Sequence, residues 1–196
     1  VAGSSPAYST KTAISAYGAN NMWIQAGVDV GISKYFCILN FRARGSSFMI
    51  NFIQLGNGSA LNPEMTNSSF LVKNDKQYML VDCGYNVFTE LYKNKDVLNG
   101  ITHICITHMD DDHIGSLRAL MYHLYFKQGI VPTIICDKSI EFQLKTYLLD
   151  HSGRVKNYAK VPTKLFELIA LDTNYDFLFR FGNQNISINT FANKHY

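Results

Sequence analysis

The sequence predicts an α/β fold of the α+β layered kind, in which helices cover a β-sheet. Three observations predict it: hairpin-forming segments come first, a strand–helix–strand–helix run follows, and the chain then returns to strands. The 196 residues are 47% hydrophobic and 17% charged. This balance is typical of a globular chain with a sizeable core.

The chain changes character at Met49. Residues 1–48 are rich in Gly, Ser and Ala and show no sustained period of 2 or 3.6 residues. We expect Met49 to be the natural start and residues 1–48 to be an N-terminal appendage or an upstream extension. The alternative is an extra hairpin packed on the first sheet. The predicted domain then spans residues 49–196.

Strands are predicted where short apolar runs are bounded by turn residues. Residues 101–107 are apolar on both faces from Ile104 onward, which predicts a buried central strand. Asn74 and Asp75 form the turn of a predicted hairpin. The predicted strands cover residues 50–55, 69–72, 78–81, 101–107, 133–136, 166–171, 177–181 and 186–191.

Three segments carry the spacing of helices with one apolar face. They cover residues 86–94, 114–127 and 139–150. Gly129 is the kind of residue that ends a helix in the left-handed conformation, so we expect the second helix to end there. Asn99 and Gly100 separate the first helix from the central strand.

Composition limits the classes of function. The net charge of +3 is too weakly basic to indicate nucleic acid by itself, but it is compatible with an anionic substrate. The four cysteines form no C-x-x-C pair and are predicted to be reduced and mostly buried: Cys37, Cys83, Cys105 and Cys136. No apolar run reaches the roughly 18 residues of a membrane helix, and no secretory signal is visible. We expect a cytoplasmic protein with no membrane partner.

Four potential metal ligands lie within six positions between a buried strand and a helix: His108, Asp110, Asp112 and His113. Side chains two apart on extended backbone leave on the same side, so His108 and Asp110 can meet on one ion. Asp112 and His113 stand where the chain enters the helix and can reach a second ion beside the first. Two ions about 3.5–4 Å apart can activate a water and stabilise the leaving oxygen of a phosphoester.

Each of these residues also has an ordinary structural explanation. Asp112 could cap a helix that begins near His113. Asp110 and Asp111 could form a solvated turn that favours the helix dipole. His108 could be a satisfied histidine at the end of a strand. The four together, at a strand–helix junction, favour a metal site.

Residues 107–113 resemble the H-x-H-x-D-H signature of the metallo-β-lactamase superfamily. Residues 54–60 resemble its opening strand and glycine turn, and residues 67–72 with 78–84 resemble its hairpin ending in D-C-G. Asp110 stands where most members place a second histidine. This H-x-D-x-D-H variant is similar to the nuclease-like domains of bacterial competence proteins and to phosphodiesterase members.

The resemblance implies an αββα sandwich that lacks part of its C-terminal half. The family's bridging aspartate and final histidine normally lie further along than Tyr196. The resemblance also implies roles for the ligands: His108, Asp110 and His195 hold the first ion, and Asp112 and His113 the second. His195 is otherwise an ordinary histidine of a terminal tail.

Asp112 is predicted to be the catalytic residue that orients the attacking water or accepts its proton. Asp82 is predicted to orient a ligating histidine from the second shell of the site, or else to be a turn aspartate before Gly84. The cofactors are expected to be divalent ions, Zn²⁺ or Mn²⁺ with Mg²⁺ as a further choice, two per site if the domain is complete.

The predicted function is metal-dependent hydrolysis of a phosphodiester, in a nucleic acid or a cyclic nucleotide. The loop over residues 56–67 resembles that of phosphodiesterase and RNA 3′-processing members more than that of antibiotic hydrolases. An inert or incomplete metal-binding module is the alternative, and a thioester or lactone hydrolase is a weaker one. The scattered Lys and Arg residues do not decide between the phosphodiester substrates.

Overall fold

A computed structural model describes residues 13–16, 21–25, 35–43, 51–60, 62–149, 165–172, 176–182 and 184–194. The strands are β1 (Ala13–Ala16), β2 (Asn21–Gln25), β3 (Tyr35–Ala43), β4 (Asn51–Gly56), β5 (Ser69–Asn74), β6 (Gln77–Val81), β7 (Ile101–Ile106), β8 (Thr133–Asp137), β9 (Glu167–Leu171), β10 (Asp176–Phe181) and β11 (Gln184–Lys194). The helices are α1 (Val87–Tyr92), α2 (Lys95–Asn99), α3 (Asp111–Ile114), α4 (Leu117–Gln128) and α5 (Glu141–Leu149), and a 3-10 helix (Lys138–Ile140) precedes α5.

The strands form two sheets. One has the order β4-β5-β6-β7-β8-β9, and the other has the order β1-β2-β3-β11-β10. In the first sheet β4, β5 and β6 are antiparallel, whereas β6 to β9 run parallel. The mixed, layered α/β fold predicted from the sequence is confirmed.

The central strands of the first sheet are buried on both faces. One face packs against the helices through a cluster that includes Leu80, Ile104 and Leu120. The other face packs against the second sheet, where Met79 and Cys105 meet Phe181 of β10. A strand segment buried on both faces needs apolar residues at every position, which explains the apolar run from Ile104 to Ile106 in β7.

The β5–β6 hairpin follows the prediction. Asn74 pairs with Gln77, so Asp75 and Lys76 form a two-residue turn. Asp75 has a φ of 55°, the left-handed conformation that such hairpin turns require. The turn fixes the register of β5 against β6.

Three strands formed by residues 13–43 lie in the second sheet. β3 pairs with β11 along its whole length, from Tyr35 opposite Lys194 to Ala43 opposite Ile186. β1 and β2 extend the sheet beyond β3. The domain boundary between residues 48 and 49 stays a prediction.

The helical prediction needs two corrections. The segment before β7 contains α1 and also α2, which the sequence analysis missed; the side chain of Asn94 caps α2. The helix predicted over 114–127 begins later, at Leu117 of α4, and a separate short helix that was not predicted, α3, precedes it. Gly129 ends α4 with a φ of 69°, which confirms its predicted role.

Cys83, Cys105 and Cys136 are buried thiols outside any disulfide, as predicted. Burial raises the pKa of Cys83 and of Cys136 to about 12, so both remain protonated at neutral pH. The side chain of Cys37 lies outside the described residues. Across the described ranges, no helix combines the length and the apolar character that crossing a membrane requires.

Candidate metal centre

The predicted site residues lie at one edge of the first sheet. Asp82 directly follows β6, Thr107 and His108 directly follow β7, and Asp112 and His113 lie in α3. Parallel strands place their carboxyl ends at the same edge, so these residues come together although they lie far apart in sequence. Asp82, His108, Asp112 and His113 are all buried.

The backbone of Asp82 is held in an unusual conformation. Its φ is 60°, in the left-handed region that aspartate tolerates better than most side chains do. Its amide donates to the carbonyl of Cys105 at 2.9 Å. The Ser69 hydroxyl lies 3.0 Å from the carbonyl oxygen of Val81 and 2.8 Å from that of Asp82. These contacts turn the Asp82 side chain toward β7 and α3.

The carboxylate of Asp82 accepts three hydrogen bonds. The amide of Thr107 donates to Oδ1 at 2.9 Å, and the Thr107 hydroxyl donates to Oδ2 at 2.7 Å. Nδ1 of His113 donates to the same Oδ2 at 2.7 Å. Asp82 therefore orients His113. That this histidine ligates a metal, as the first alternative for Asp82 requires, stays a prediction.

This network fixes the proton positions on both imidazoles. The Thr107 hydroxyl has a single proton, and that proton bonds to Asp82. Nδ1 of His108, 2.9 Å from the same hydroxyl oxygen, is therefore the donor in that contact. His108 and His113 both carry a proton on Nδ1, so in the neutral form of each imidazole the lone pair lies on Nε2, the nitrogen that would bind a metal.

The four motif residues form two pairs. Nε2 of His108 lies 3.7 Å from Oδ2 of Asp110, and Nε2 of His113 lies 3.5 Å from Oδ2 of Asp112. The two imidazole rings are 3.9 Å apart between centroids. Within the described ranges, no three His, Cys, Asp or Glu side chains meet in the geometry of one metal site. The predicted assignment of the two pairs to a first and a second ion, and ion binding itself, stay predictions.

Burial and charge shift the two histidines in opposite directions. Burial lowers the pKa of His108, helped by the neighbouring His113, although Asp82, Asp110 and Asp112 oppose the shift. Burial would also lower the pKa of His113, but the charge and hydrogen bond of Asp82, with the charges of Asp112 and Asp110, outweigh it and raise that pKa.

The residues present fit a divalent metal. Nε2 of His113 is buried and has no hydrogen-bond partner among the described residues. A buried polar atom without a partner is costly, and a metal ion would satisfy it. The ion pairs of Asp82 and Asp112 are both with His113, so one imidazole faces two buried carboxylates. A cation bound at this site would balance the negative charge of the two carboxylates.

Several predictions are corrected or remain open at this site. α3 begins at Asp111, so Asp112 lies inside the first turn and the capping alternative for it is wrong. Asp110 occupies the cap position without a side-chain cap hydrogen bond. The exposed carboxylate of Asp111 accepts a hydrogen bond from the Tyr85 hydroxyl at 2.9 Å. His195 lies outside the described residues, and its role stays a prediction.

The sequence analysis missed the small polar residues that hold the site. Thr107 connects Asp82 with His108, and Ser69 fixes the turn at Asp82. Ser116 contacts the same turn from the far end of α3. The sequence analysis included Thr107 only as the first residue of the motif over residues 107–113 and gave it no role. For the two serines the sequence contains no periodic signal.

The comparisons with known proteins agree with this geometry. A family model, "Anti-Pycsar protein Apyc1", matches residues 50–196. The Anti-Pycsar protein Apyc1 of Paenibacillus xerothermodurans is 30% identical over 123 residues, which cover 60% of this chain and 48% of that protein. The Ribonuclease Z of Alkaliphilus oremlandii is 32% identical over 103 residues, which cover 52% of this chain and 32% of that protein.

Two solved structures share the fold. The short form of human tRNase Z matches with a TM-score of 0.51 and 22% identity, over 62% of this chain and 44% of that one. The metallo-β-lactamase fold protein YhfI of Bacillus subtilis matches with a TM-score of 0.51 and 14% identity, over 70% of this chain and 56% of that one. These likenesses confirm the metallo-β-lactamase fold predicted from the sequence.

The chain spans about half the length of the Paenibacillus relative that it matches. The family match nevertheless covers the site edge of the first sheet and the strands that follow it. The chain belongs to the Anti-Pycsar protein Apyc1 family.

Proposed function

We propose that this chain is the metal-binding part of a hydrolase that cleaves the phosphodiester of a cyclic nucleotide with a metal-activated water. The observation that carries the proposal is the contrast between the two ring nitrogens of His113. Its Nδ1 is fixed by Asp82 at 2.7 Å, while its buried Nε2 has no partner within the described part of the chain. An imidazole held from behind by a carboxylate is the usual arrangement of a metal-ligating histidine.

The family supports the choice of substrate. Proteins of the Apyc1 family degrade cyclic nucleotides, and a phosphodiester is the bond that such a reaction breaks. Ribonuclease Z among the relatives supports the same bond type in a nucleic acid. The net charge of +3 is compatible with either anionic substrate. We favour the cyclic nucleotide because the family match covers more of the chain.

The proposed ligands are the two pairs. His108 and Asp110, with His195, would hold one ion, and Asp112 and His113 would hold a second. A bound divalent ion supplies a water that ionises near neutral pH and stabilises negative charge on phosphate oxygens. Mixed imidazole and carboxylate ligands suit Zn²⁺ or Mn²⁺.

Asp112 is the proposed catalytic residue. Its carboxylate is buried at the site, beside Nε2 of His113, where it can accept a proton from the attacking water. The water oxygen forms the new bond to phosphorus while one ester P–O bond breaks. The leaving ribose oxygen takes up a proton and becomes a hydroxyl, so the product is a nucleoside monophosphate.

The three buried, reduced thiols support a cytoplasmic location for this enzyme. Reducing compartments preserve such thiols, whereas chains in oxidising ones usually convert well-placed pairs to disulfides. A cytoplasmic enzyme would also meet cyclic nucleotides where cells make them.

The test uses the full-length protein that contains this chain. Metal content is measured after purification, and hydrolysis is followed with a 3′,5′-cyclic nucleotide, a short RNA, a thioester and bis-p-nitrophenyl phosphate, each with Zn²⁺ or Mn²⁺. We expect Asp112→Ala to lower cyclic-nucleotide turnover by at least about 1,000-fold, because it removes both a ligand and the proton acceptor. Thermal unfolding is expected to stay close to that of the wild type.

The matched control is Asp111→Ala. Asp111 directly precedes Asp112 in α3, but its carboxylate binds the Tyr85 hydroxyl at the surface. It is expected to retain activity. Metal uptake without turnover of any substrate would favour the inert module and contradict the proposal. Turnover of the RNA alone would replace the cyclic nucleotide by a nucleic acid, and turnover of the thioester alone would indicate the weaker alternative.

A further inference from the structure

The contact between Asp82 and His113 joins two elements that are 31 residues apart in sequence. Its 2.7 Å length therefore depends on how closely the turn after β6 lies against α3. Two backbone hydrogen bonds bring them together: the Cys83 amide donates to the carbonyl of His113 at 2.6 Å, and the Ser116 amide donates to the carbonyl of Cys83 at 3.0 Å.

Gly84 shows how tight this contact is. A Cβ built at Gly84 would lie 2.0 Å from the carbonyl oxygen of Asp112 and 2.7 Å from Cβ of Asn67. No side chain fits between the turn and α3, so the two backbones touch directly. A small displacement of the turn would change the position of Asp82 relative to His113.

The Ser116 hydroxyl lies at this contact and is almost fully buried. It donates to the carbonyl oxygen of Gly84 and accepts a hydrogen bond from the Phe88 amide at 3.2 Å. Its oxygen is also 3.3 Å from Sγ of Cys83. A hydroxyl has one donor and two acceptor positions, and all three have a partner here.

Helix α1 depends on the same hydroxyl. Asn86 occupies the cap position of α1 but makes no side-chain cap bond. Its side chain instead accepts from the amide of Asn67 and donates to the carbonyl of Met65, both at 2.9 Å. Ser116, which lies between α3 and α4, therefore supplies the acceptor that a capping residue usually gives to the second amide of a helix.

We infer that Ser116 is a positioning residue that clamps the Cys83–Gly84 turn between α1 and α3 and thereby keeps Asp82 aligned with His113. The inference rests on the proposed function and deepens it, since the aligned pair is the one that presents Nε2 of His113 to a metal. Ser116 itself contacts neither the proposed ions nor the substrate.

The test compares Ser116→Ala with Asn94→Ala in the full-length protein. Asn94 caps α2 by accepting from the Val97 amide at 3.3 Å, so its replacement removes a helix cap that is remote from the turn. Zinc affinity is measured by competition with a chromophoric chelator. Amide hydrogen exchange of Cys83 and Phe88 is measured in the metal-free protein, and kcat and KM are measured with bis-p-nitrophenyl phosphate.

We expect Ser116→Ala to weaken zinc binding about 10-fold, the lower end of the effect of outer-shell partners. The Cys83 and Phe88 amides are expected to exchange faster, and kcat is expected to fall with little change in KM. Asn94→Ala is expected to leave zinc affinity and both amides unchanged. Ser116→Cys, with a weaker hydrogen-bonding group of similar size, is expected to lie between Ser116→Ala and the wild type, and it replaces Ser116→Ala if that variant does not fold.

Zinc affinity in Ser116→Ala equal to that of the wild type would overturn the inference, as would an equal loss in Asn94→Ala. A wild-type protein that binds no metal and cleaves no phosphodiester would contradict the proposed function instead. In that case amide exchange at Cys83 and Phe88 still tests whether Ser116 holds the turn. Faster exchange in Ser116→Ala alone would support that role, and unchanged exchange would overturn it.

Discussion

Asp82 and Asp137 lie at the ends of β6 and β8, the two strands that flank β7, and their side chains have different roles. Asp82 follows β6 and accepts hydrogen bonds from Thr107 and His113, which are 25 and 31 residues away. Asp137 ends β8, and its side chain accepts from the Ser139 amide, two residues away, at 2.8 Å. At the same sheet edge, one aspartate holds residues of the proposed site and the other caps a helix. The difference is that Asp82 binds residues far away in sequence, whereas Asp137 binds an amide two residues away.

The backbone differs in the same way. Asp137 has φ −70° and ψ 145°, the ordinary extended conformation of a cap residue. Asp82 has a φ of 60°, which costs about 1 kcal/mol or more for a residue with a side chain. The hydrogen bonds around Asp82 hold this conformation in place. Such strain at a strand end is typical of functional sites.

The largest effect on stability is expected for Asp82→Ala. The substitution leaves the Thr107 amide, the Thr107 hydroxyl and Nδ1 of His113 buried without their acceptor, which we expect to cost about 3 kcal/mol of unfolding free energy. Metal affinity is expected to fall about 10- to 100-fold, because His113 loses its orienting partner. Urea unfolding and zinc competition on the purified protein measure the two effects.

Asp82→Asn provides the control for the backbone. Asparagine also tolerates the left-handed conformation, so it retains the turn while removing the charge and replacing one acceptor oxygen by a donor. It is expected to be more stable than Asp82→Ala but still weakened in metal binding. Wild-type metal affinity in both variants would show that Asp82 is only the turn aspartate of the second alternative.

The sequence predicted the parts of the site that are close together along the chain. The strand before Thr107 and the ligand types at His108, Asp110, Asp112 and His113 follow from hydrophobic periodicity and spacing. The family resemblance added the hairpin that ends at Asp82. These signals come from residues that are close together in sequence. The site residues that the structure describes all lie at one sheet edge.

The rest depends on contacts between distant segments. No pattern in the sequence shows that β3 pairs with β11, because the partners Tyr35 and Lys194 are almost a whole chain length apart. The start of α3 at Asp111 was missed because three consecutive aspartates offer three equivalent cap positions. The role of Ser116 depends on a turn that lies 32 residues earlier in the chain.

His103 is a partly buried imidazole that can be compared with His113, which has a carboxylate beside it. Its ring packs against Phe179 and Phe181, and burial lowers its pKa to about 4, whereas Asp82 helps to raise the pKa of His113. At His103, therefore, the unfolded chain binds more protons than the folded one between about pH 4 and pH 6.5, so this group makes stability rise with pH across the window. We expect the wild type to lose about 2 kcal/mol between pH 7.5 and pH 5 through His103 alone.

His103→Gln removes this titration. The difference in unfolding free energy between wild type and variant, measured in urea at pH 7.5 and pH 5, isolates His103, because the other titrating groups are common to both proteins. The variant is expected to lose less stability than the wild type on acidification. Parallel pH profiles for the two proteins would show that His103 is protonated as readily in the folded chain as in the unfolded one.

The smallest effect is expected for Asp137→Ala, at the other strand end. The substitution removes the cap of the 3-10 helix before α5, and loss of such a cap costs about 1 kcal/mol. Zinc affinity and turnover are expected to stay within about twofold of the wild type, because Asp137 is not one of the proposed ligands and its contact with the Ser139 amide is local. Urea unfolding and zinc competition, run beside Asp82→Ala, give both values. A loss of metal affinity in Asp137→Ala comparable to that in Asp82→Ala would mean that the sheet edge acts as one unit, and the distinction between distant and local partners would then fail.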